Sequence, residues 1–288
     1  MTVPPTYYFP WEGIEDFSTY HYDSKGCPRV DYGKKLGLRY NPVTIAQYGL
    51  FNSDLFSATG EKRYLNLAST MADWLLENRR DGSHGAAVWY YDFDIEIYKI
   101  SAPWISAMAQ GEAISLLLRA NLFSPNQDYL EIAQKASRVF FHSVSDGGVC
   151  ASFPDGSISL EEFPSDPPSH VLNGGIMALL GVYDLFLHSR DSDIEQVFHQ
   201  AIDGLRRNLQ RYDTGFWTRY DLHASRRLAS AMYHDMHVRL MKILWQITDD
   251  LFFMNYARKW ESYLKQPVSR VRWLLAKLGE KTRHFFKS

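Results

Sequence analysis

The chain has 288 residues, of which 45% are hydrophobic and 22% charged, with a formal net charge of −2. That is ample length for one large core, and the charge balance excludes the strong basic excess of a nucleic-acid-binding protein. Two cysteines, Cys27 and Cys150, exclude a disulfide framework and give no zinc spacing, and no stretch approaches the roughly 18 apolar residues of a membrane span. Aromatic residues are abundant, with 18 Tyr, 17 Phe and 8 Trp. Most belong in a core, but Tyr and Trp faces also stack on sugar rings, so the excess points weakly to a carbohydrate cleft.

Residues 1–38 are irregular and rich in Tyr, Pro, Gly and Asp, which predicts an extended arm laid across a helical body. The start shows no basic stretch leading into an apolar run, so the expected compartment is the cytoplasm. Asn41-Pro42 then reads as a helix cap followed by proline at the first helical position.

From residue 39 to 263 the chain repeats. Gln47, Gln110, Asn173 and His237 are separated by 63, 63 and 64 residues, inside TIAQYGLFNSDLF, SAMAQGEAISLLL, HVLNGGIMALLGVYDL and YHDMHVRLMKIL. Each unit continues through a short turn into a second helix. In the second unit Ser124-Pro125-Asn126-Gln127 reads as a capping box. Tyr64, Leu67, Ala68, Met71 and Leu75 mark the apolar stripe of the second helix in unit one; Ile194, Val197, Phe198, Ala201, Leu205 and Leu209 mark it in unit three.

A glycine turn and a short aromatic or β-branched run follow: Asp81-Gly82 into AAVWYYDFDI, Asp146-Gly147-Gly148 into VCASF, Asp213-Thr214-Gly215 into FWTRYDL. About four helical hairpins with short β-hairpin-like rim loops predict an all-α fold, an (α/α) toroid or incomplete barrel. The repeated polar position falls near the start of each first helix. In a ring those positions converge on one end of the central hole.

Residues 264–288 form a different segment. From Lys265 onward it holds seven Lys or Arg and one acidic residue, Glu280, and Pro267 separates it from the preceding helix. Val268, Val271, Leu275 and Leu278 fall on one helical face, with Trp273, Phe285 and Phe286 nearby. The pattern predicts either a basic amphipathic helix in peripheral contact with the inner membrane face or a last helix capping the stack.

Three clusters carry the candidate chemistry. They are Glu161-Glu162-Phe163-Pro164 leading to Ser169-His170-Val171-Leu172-Asn173-Gly174, Arg219-Tyr220-Asp221-Leu222-His223, and Tyr233-His234-Asp235-Met236-His237. His234 and His237 have metal-pair spacing but no accompanying acidic motif, so no metal and no other cofactor is expected. Gln110 and Asn173 read equally well as groups that satisfy helix ends.

At these residues the chain resembles the D-glucuronyl C5-epimerases, which act on glucuronate-containing polysaccharides such as the heparan sulfate precursor. The resemblance is carried by IAQYGL at 45–50, PWISAMAQGEAIS at 103–115, EEFPSDPPSHVLNG at 161–174, YDLFLHS from Tyr183, YDTGFWTRYDLH at 212–223, YHDMHV at 233–238 and the closing RKWESYL. It implies a toroid, an acidic polysaccharide or oligosaccharide substrate, and catalytic roles at Glu162, Tyr220 and Tyr233. Two departures matter. Animal members carry β-rich domains between IAQYGL and the rest, whereas here the two are joined directly. The family's Glu-Glu-Tyr-Pro has Phe163 in the tyrosine's place, which removes one hydroxyl from the expected site.

C5 epimerisation removes a proton beside a carboxylate and returns one on the opposite face. It needs a base, an acid across the ring, and donors for the enediolate. Tyr233 and Glu162 are expected on opposite faces, with Tyr220 assisting. His170, Asn173, Gln110, Trp104 and Tyr48 are expected to bind the sugar or its carboxylate. Arg226, Arg227, His223, His234 and His237 are expected beside the tyrosines, where their charge would lower a phenol pKa. A uronate lyase, a glycoside hydrolase using two spaced carboxyl groups, and a non-catalytic glycan-binding scaffold are the alternatives; a homodimer is also compatible with the sequence.

Overall fold

The structure, a computed structural model, describes residues 2–225 and 227–285, without the side chains of 281–285. Among the described residues four helical hairpins follow one another: α1 (Pro42–Thr59) with α2 (Lys62–Asn78), α3 (Ala107–Phe123) with α4 (Gln127–Ser137), α5 (Leu172–Ser189) with α6 (Ser192–Asn208), and α7 (Ala231–Thr248) with α8 (Leu251–Lys265). A further helix, α9 (Pro267–Phe285), closes the chain.

The first helix of each pair is inner and the second outer, and composition dictates which. In α3 every residue from Ala107 to Ala120 is buried, so it has no solvent face. The outer helices are one-sided: α2 buries Ala68, Met71, Ala72 and Leu75, and α6 buries Ile194, Val197, Phe198, Ala201 and Leu205. The capping signals are realised with one shift. The Asn41 carboxamide oxygen accepts from the Val43 and Thr44 amides, but α4 is capped by Asn126 rather than Ser124, whose amide instead bonds back to Ala120. Pro125 thus precedes the helix instead of opening it.

Inner helices pack in chain order, α1 on α3, α3 on α5, and α5 on α7. The α3–α5 contact is the closest. A Cβ on Gly111 would lie 2.5 Å from the Ala178 carbonyl oxygen, and one on Gly181 would lie 2.0 Å from that of Gly111. Two glycines therefore let the backbones touch, and any side chain there would push the inner ring apart.

Between α7 and α1 the wall is completed by the N-terminal arm. The Tyr7 amide donates to Asp54 in α1 at 2.6 Å, Phe17 packs on Phe51 of α1 at 5.0 Å, and Arg239 in α7 donates to the Pro10 and Glu12 carbonyls. Tyr7, Phe9, Trp11 and Phe17 are buried. The arm is part of the ring's packing, and it ends in a small antiparallel sheet of residues 21–22, 28–31 and 38–39.

The rim loops pair as short hairpins. Arg80–Asp81 pairs with Ala87–Val88, Tyr90–Tyr91 with Trp104–Ile105, and Cys150–Ser152 with Ile158–Leu160, all antiparallel. In the third loop the described residues make isolated bridges, Asp213 to Thr218 and Arg219 to Leu228.

Candidate active site

The amino-terminal ends of the inner helices surround a cavity of about 280 Å³. Each contributes from its first turn or two: Val43, Thr44 and Gln47 from α1, Met108 from α3, Asn173 from α5, and Met232, Tyr233 and Met236 from α7. Trp11, Ile14, Glu15 and Tyr20 of the arm complete it. A more open groove of about 370 Å³ shares Ile95, Phe163 and Tyr233 with this cavity and extends past Tyr98, Tyr220, Arg227 and Lys277.

Strand alternation places the carboxylates. The Ile158–Leu160 strand leads directly into Glu161 and Glu162, and consecutive side chains point to opposite faces. Glu161 turns inward and is fully enclosed. Its carboxylate accepts from the Ser159 hydroxyl at 2.8 Å, the Ser169 amide and hydroxyl at 3.0 and 2.9 Å, and the His170 amide at 2.9 Å, with His170 Nδ1 at 2.8 Å. Burial works to raise this carboxyl, but hydrogen bonds from His170 and Ser159 hold it below the usual range.

Glu162 faces the cavity, and among the described residues its buried Oε2 has no hydrogen-bond partner. Burial, opposed by Arg227 and reinforced by Glu161 and Asp221, pushes its carboxyl up to about 8. The first turn of α5 makes room for it: a Cβ on Gly174 would lie 2.1 Å from Oε2 and 2.5 Å from the Glu162 Cβ. Only glycine at this position leaves the carboxyl where it is.

Tyr233 stands in the first turn of α7, after the Ser230 cap whose hydroxyl accepts from its amide. Tyr220 is brought beside it by the loop before α7. The Tyr220 carbonyl accepts from the first amide of α5, Leu172, and its amide donates to the Arg227 carbonyl. The two phenol rings meet edge to face at 4.8 Å. Burial and the Glu162 charge push Tyr233 up to about 12, opposed by a hydrogen bond with Tyr220; burial and Glu162 raise Tyr220 further. The three groups expected to be catalytic therefore share one electrostatic environment.

Arg227 lies over the Tyr220 ring at 5.0 Å and the Tyr98 ring at 5.3 Å. The fully buried Asp221 holds it, accepting from Nη2 at 2.6 Å and Nε at 3.2 Å, and the Tyr98 hydroxyl donates to the same oxygen at 2.7 Å. Trp104 lines the cavity, stacked on Tyr91 at 4.1 Å with its indole N–H held by the Phe93 carbonyl. Asn173 also lines it, with a buried Oδ1 that has no partner. Phe163 sits between Tyr98 (4.8 Å) and Trp104 (5.6 Å) where cavity and groove meet.

Several expected contacts are structural instead. Gln110 is enclosed: its amide nitrogen donates to the Ala87 and Ala136 carbonyls and its oxygen accepts from Trp89, so it ties α3 to the first rim loop. His170 faces away from the cavity, stacked on Phe153 at 4.5 Å and bonded to Glu161. His234 and His237 are fully buried on the side of α7 that faces Thr218 and α8. Both Nδ1 atoms contact the Thr218 hydroxyl, and His234 Nε2 bonds the Trp260 carbonyl. Burial lowers His234 to about 4 and His237 well below its ordinary value, so neither lends positive charge to a tyrosine. Of the four repeated polar positions, Gln47 and Asn173 reach the hole and Gln110 and His237 do not. Tyr48 packs under the arm against Phe17 and Tyr22. His223 stands beyond Tyr98 on the rim, edge-on at 5.3 Å. Arg226 lies outside the described residues.

Other residues join the site without having been expected there. Glu112 is fully buried one turn into α3, with one oxygen accepting from Gln47 at 3.0 Å and the other unpartnered; burial raises it well above the carboxylate range. Its signal was a lone acid in the apolar stretch AMAQGEAISLLL. Glu15 and Tyr20, hydrogen-bonded to each other at 2.9 Å, come from the arm, where no periodicity marks them.

The family model for the D-glucuronyl C5-epimerase C-terminus matches residues 80–262, a span that takes in most of the ring and within which Glu162, Tyr220 and Tyr233 fall. The chain belongs to this family. Within it, the chain is 35% identical over 212 residues to a D-glucuronyl C5-epimerase of Caenorhabditis elegans, a match covering 67% of this chain and 34% of the relative. An uncharacterized protein of Methanocaldococcus jannaschii is 28% identical over 176 residues, covering 60% of this chain and 56% of the other. The chain thus spans about a third and about half of these relatives. Among solved structures, the unsaturated glucuronyl hydrolase of Bacillus sp. GL1 superposes with a TM-score of 0.52 at 16% identity, over 77% of this chain and 61% of that one. A family-76 α-mannanase of Bacteroides thetaiotaomicron gives 0.51 at 14% identity, over 78% and 61%. These two similarities establish the fold, an (α/α) toroid.

Proposed function

We propose that this chain inverts C5 of D-glucuronate residues in an acidic glycan, giving L-iduronate. The observation that carries the reading is an unpartnered carboxyl, Glu162, on the same cavity as the Tyr233–Tyr220 pair. A carboxyl near 8 is part ionised at neutral pH and serves as base, while a phenol near 12 keeps its proton and serves as acid. The C5 proton passes to Glu162, the electron pair moves into the substrate carboxylate as an enediolate, and Tyr233 delivers a proton to the other face of C5. Tyr220 hydrogen-bonds Tyr233 and steadies the phenolate that this leaves. Arg227 is oriented by Asp221 and supplies positive charge for the substrate carboxylate. Asn173 and Gln47 offer side-chain amides to sugar hydroxyls, and Trp104 offers an apolar wall.

Family membership supports the reaction class. Arg227 and Lys277 on the groove support an anionic polymer rather than a neutral one.

The test is incubation with glucuronate polymers in deuterated water, followed by NMR of H5. Deuterium at C5 with iduronate signals and intact chain length is expected. Unsaturated chain ends would make the protein a lyase, and absence of exchange over a panel of polymers would reject both.

A further inference from the structure

The two sides of α9 differ sharply. Its inner side is clamped to the segment between Arg227 and α7. Trp273 donates its indole N–H to the Ala229 carbonyl at 3.0 Å, Lys277 donates to the Leu228 carbonyl at 2.6 Å, and Glu280 accepts from the Leu228 amide at 2.9 Å. Trp273 also stacks on Trp217 at 5.1 Å. The outer side is an aliphatic stripe that is largely exposed: Val268 is 70% exposed, Val271 54%, Leu274 53%, Leu275 64% and Leu278 61%. Five exposed aliphatic side chains on one helix face are well beyond the scattered single residues of an ordinary surface.

Charge decides what covers the stripe. The segment from Lys265 onward holds seven Lys or Arg against one acid, Glu280. That acid is turned inward, with one oxygen on the Leu228 amide and the other on Lys277 at 2.8 Å. Nothing acidic on the helix therefore opposes an anionic surface. At 100° per residue Arg270 and Arg272 fall on either side of the stripe, as in a helix lying in the headgroup layer. A second copy of the chain fits poorly. Pairing two stripes would bring like charges together, and one short helix face falls below the ~800 Å² per partner of a stable dimer.

We propose that α9 docks the protein on an anionic lipid bilayer, with Val268, Val271, Leu274, Leu275 and Leu278 entering the acyl boundary. Because Lys277 lines the open groove, this places the groove edge within about one helix diameter, ~10 Å, of the bilayer. It rests on the epimerase reading only in one consequence: the natural glycan is presented close to a membrane. The docking itself is independent of it.

The experiment is co-sedimentation with vesicles of phosphatidylcholine alone and of equal parts phosphatidylcholine and phosphatidylglycerol, without substrate. The native chain is expected to bind the mixed vesicles and to be released by salt. The variant Val271→Asp/Leu275→Asp/Leu278→Asp changes only exposed positions, so its melting temperature is expected to hold while partition falls by at least about tenfold. Hydrogen exchange at residues 228–229 is expected to slow on the mixed vesicles, since the bilayer holds the helix that clamps them. Absence of binding, or binding that survives the triple variant, would overturn the proposal. So would a dimer in sedimentation velocity that the triple variant separates while vesicles remain unbound.

Discussion

The two ends of the inner helices treat buried charge in opposite ways. Towards their carboxyl-terminal ends Arg119 of α3 and Asp184 of α5, both fully buried, pair through Nη1 at 2.5 Å and Nη2 at 3.3 Å. Ser115 and Tyr8 add hydroxyl donors to the same carboxylate at 2.6 and 2.7 Å, and the guanidinium lies over the Tyr7 and Tyr8 rings. At the amino-terminal end Glu162, Glu112 and Asn173 each leave a buried oxygen unpartnered. Arg119 keeps one unpartnered nitrogen, Nε, but its charge is met directly by the Asp184 carboxylate. A charge held in an ion pair specifies packing, whereas one without a counter-charge in contact destabilises the empty fold and waits for a ligand. One end serves as the structural plug of the ring and the other as the proposed reaction chamber.

The largest expected effect is at the chamber. Glu162→Gln is expected to lower turnover by about 10³–10⁴-fold while leaving the fold intact, read by H5 exchange and circular dichroism. The same variant sharpens the comparison through stability. In the unfolded chain this carboxyl titrates near its ordinary 4.5 and in the fold near 8, so between those values the folded state binds more protons. Native stability is therefore expected to fall as pH rises from about 4.5 to 8. The Gln variant should match the native melting temperature at pH 4 and exceed it at pH 9. Equal melting curves at both pH values would mean that Glu162 is not held in a destabilising place.

At the plug the order reverses. Arg119→Met leaves Asp184 buried without its cation and is expected to cost about 3–5 kcal/mol in denaturant unfolding, with turnover per folded molecule unchanged. A large loss of turnover at full stability would erase the distinction between the ends. Tyr233→Phe removes the proposed acid and is expected to reduce turnover about 10²-fold with little change in substrate KM; near-native turnover would remove Tyr233 from the mechanism. The smallest effect is expected at Phe163→Tyr, which adds a hydroxyl between Tyr98 and Trp104. We expect a severalfold change in kcat/KM and a stability change under about 1 kcal/mol.

Corrected positions share a cause. Gln110 and His237 recur in the same repeat as Gln47 and Asn173, yet are enclosed. A repeat spacing specifies a place along a helix, while a shift of one or two residues turns the side chain by 100–200° around it. Which neighbour meets that side chain depends on how closely the helices approach. Gln110 is turned away from the hole, to the first rim loop and α4, where the carbonyls of Ala87 and Ala136 take up its amide. His234 and His237 were plausible partners for Tyr233 by proximity in the chain. In a helix the next residue lies about 100° around from Tyr233, and the fourth residue on lies on the same side but one turn deeper; here both histidines are enclosed against Thr218, and His234 also against the Trp260 carbonyl.

By itself the amino-acid sequence determined what is local or periodic. Hydrophobic spacing set four helical hairpins, Asn41-Pro42 set the first helix start, and the cluster Glu161-Glu162 marked two adjacent carboxyls next to the start of the third inner helix. These follow from backbone geometry within a few residues. Tertiary structure alone decided which of the two carboxyls is left unpaired, that the arm brings Glu15 and Tyr20 to the cavity, and that Glu112 lies beneath it. It also decided that α9 covers residues 228–229 with one face and leaves the other bare. Each depends on contacts between residues far apart in the chain, where burial, the absence of a partner and the approach of a neighbouring charge are properties of the assembled ring.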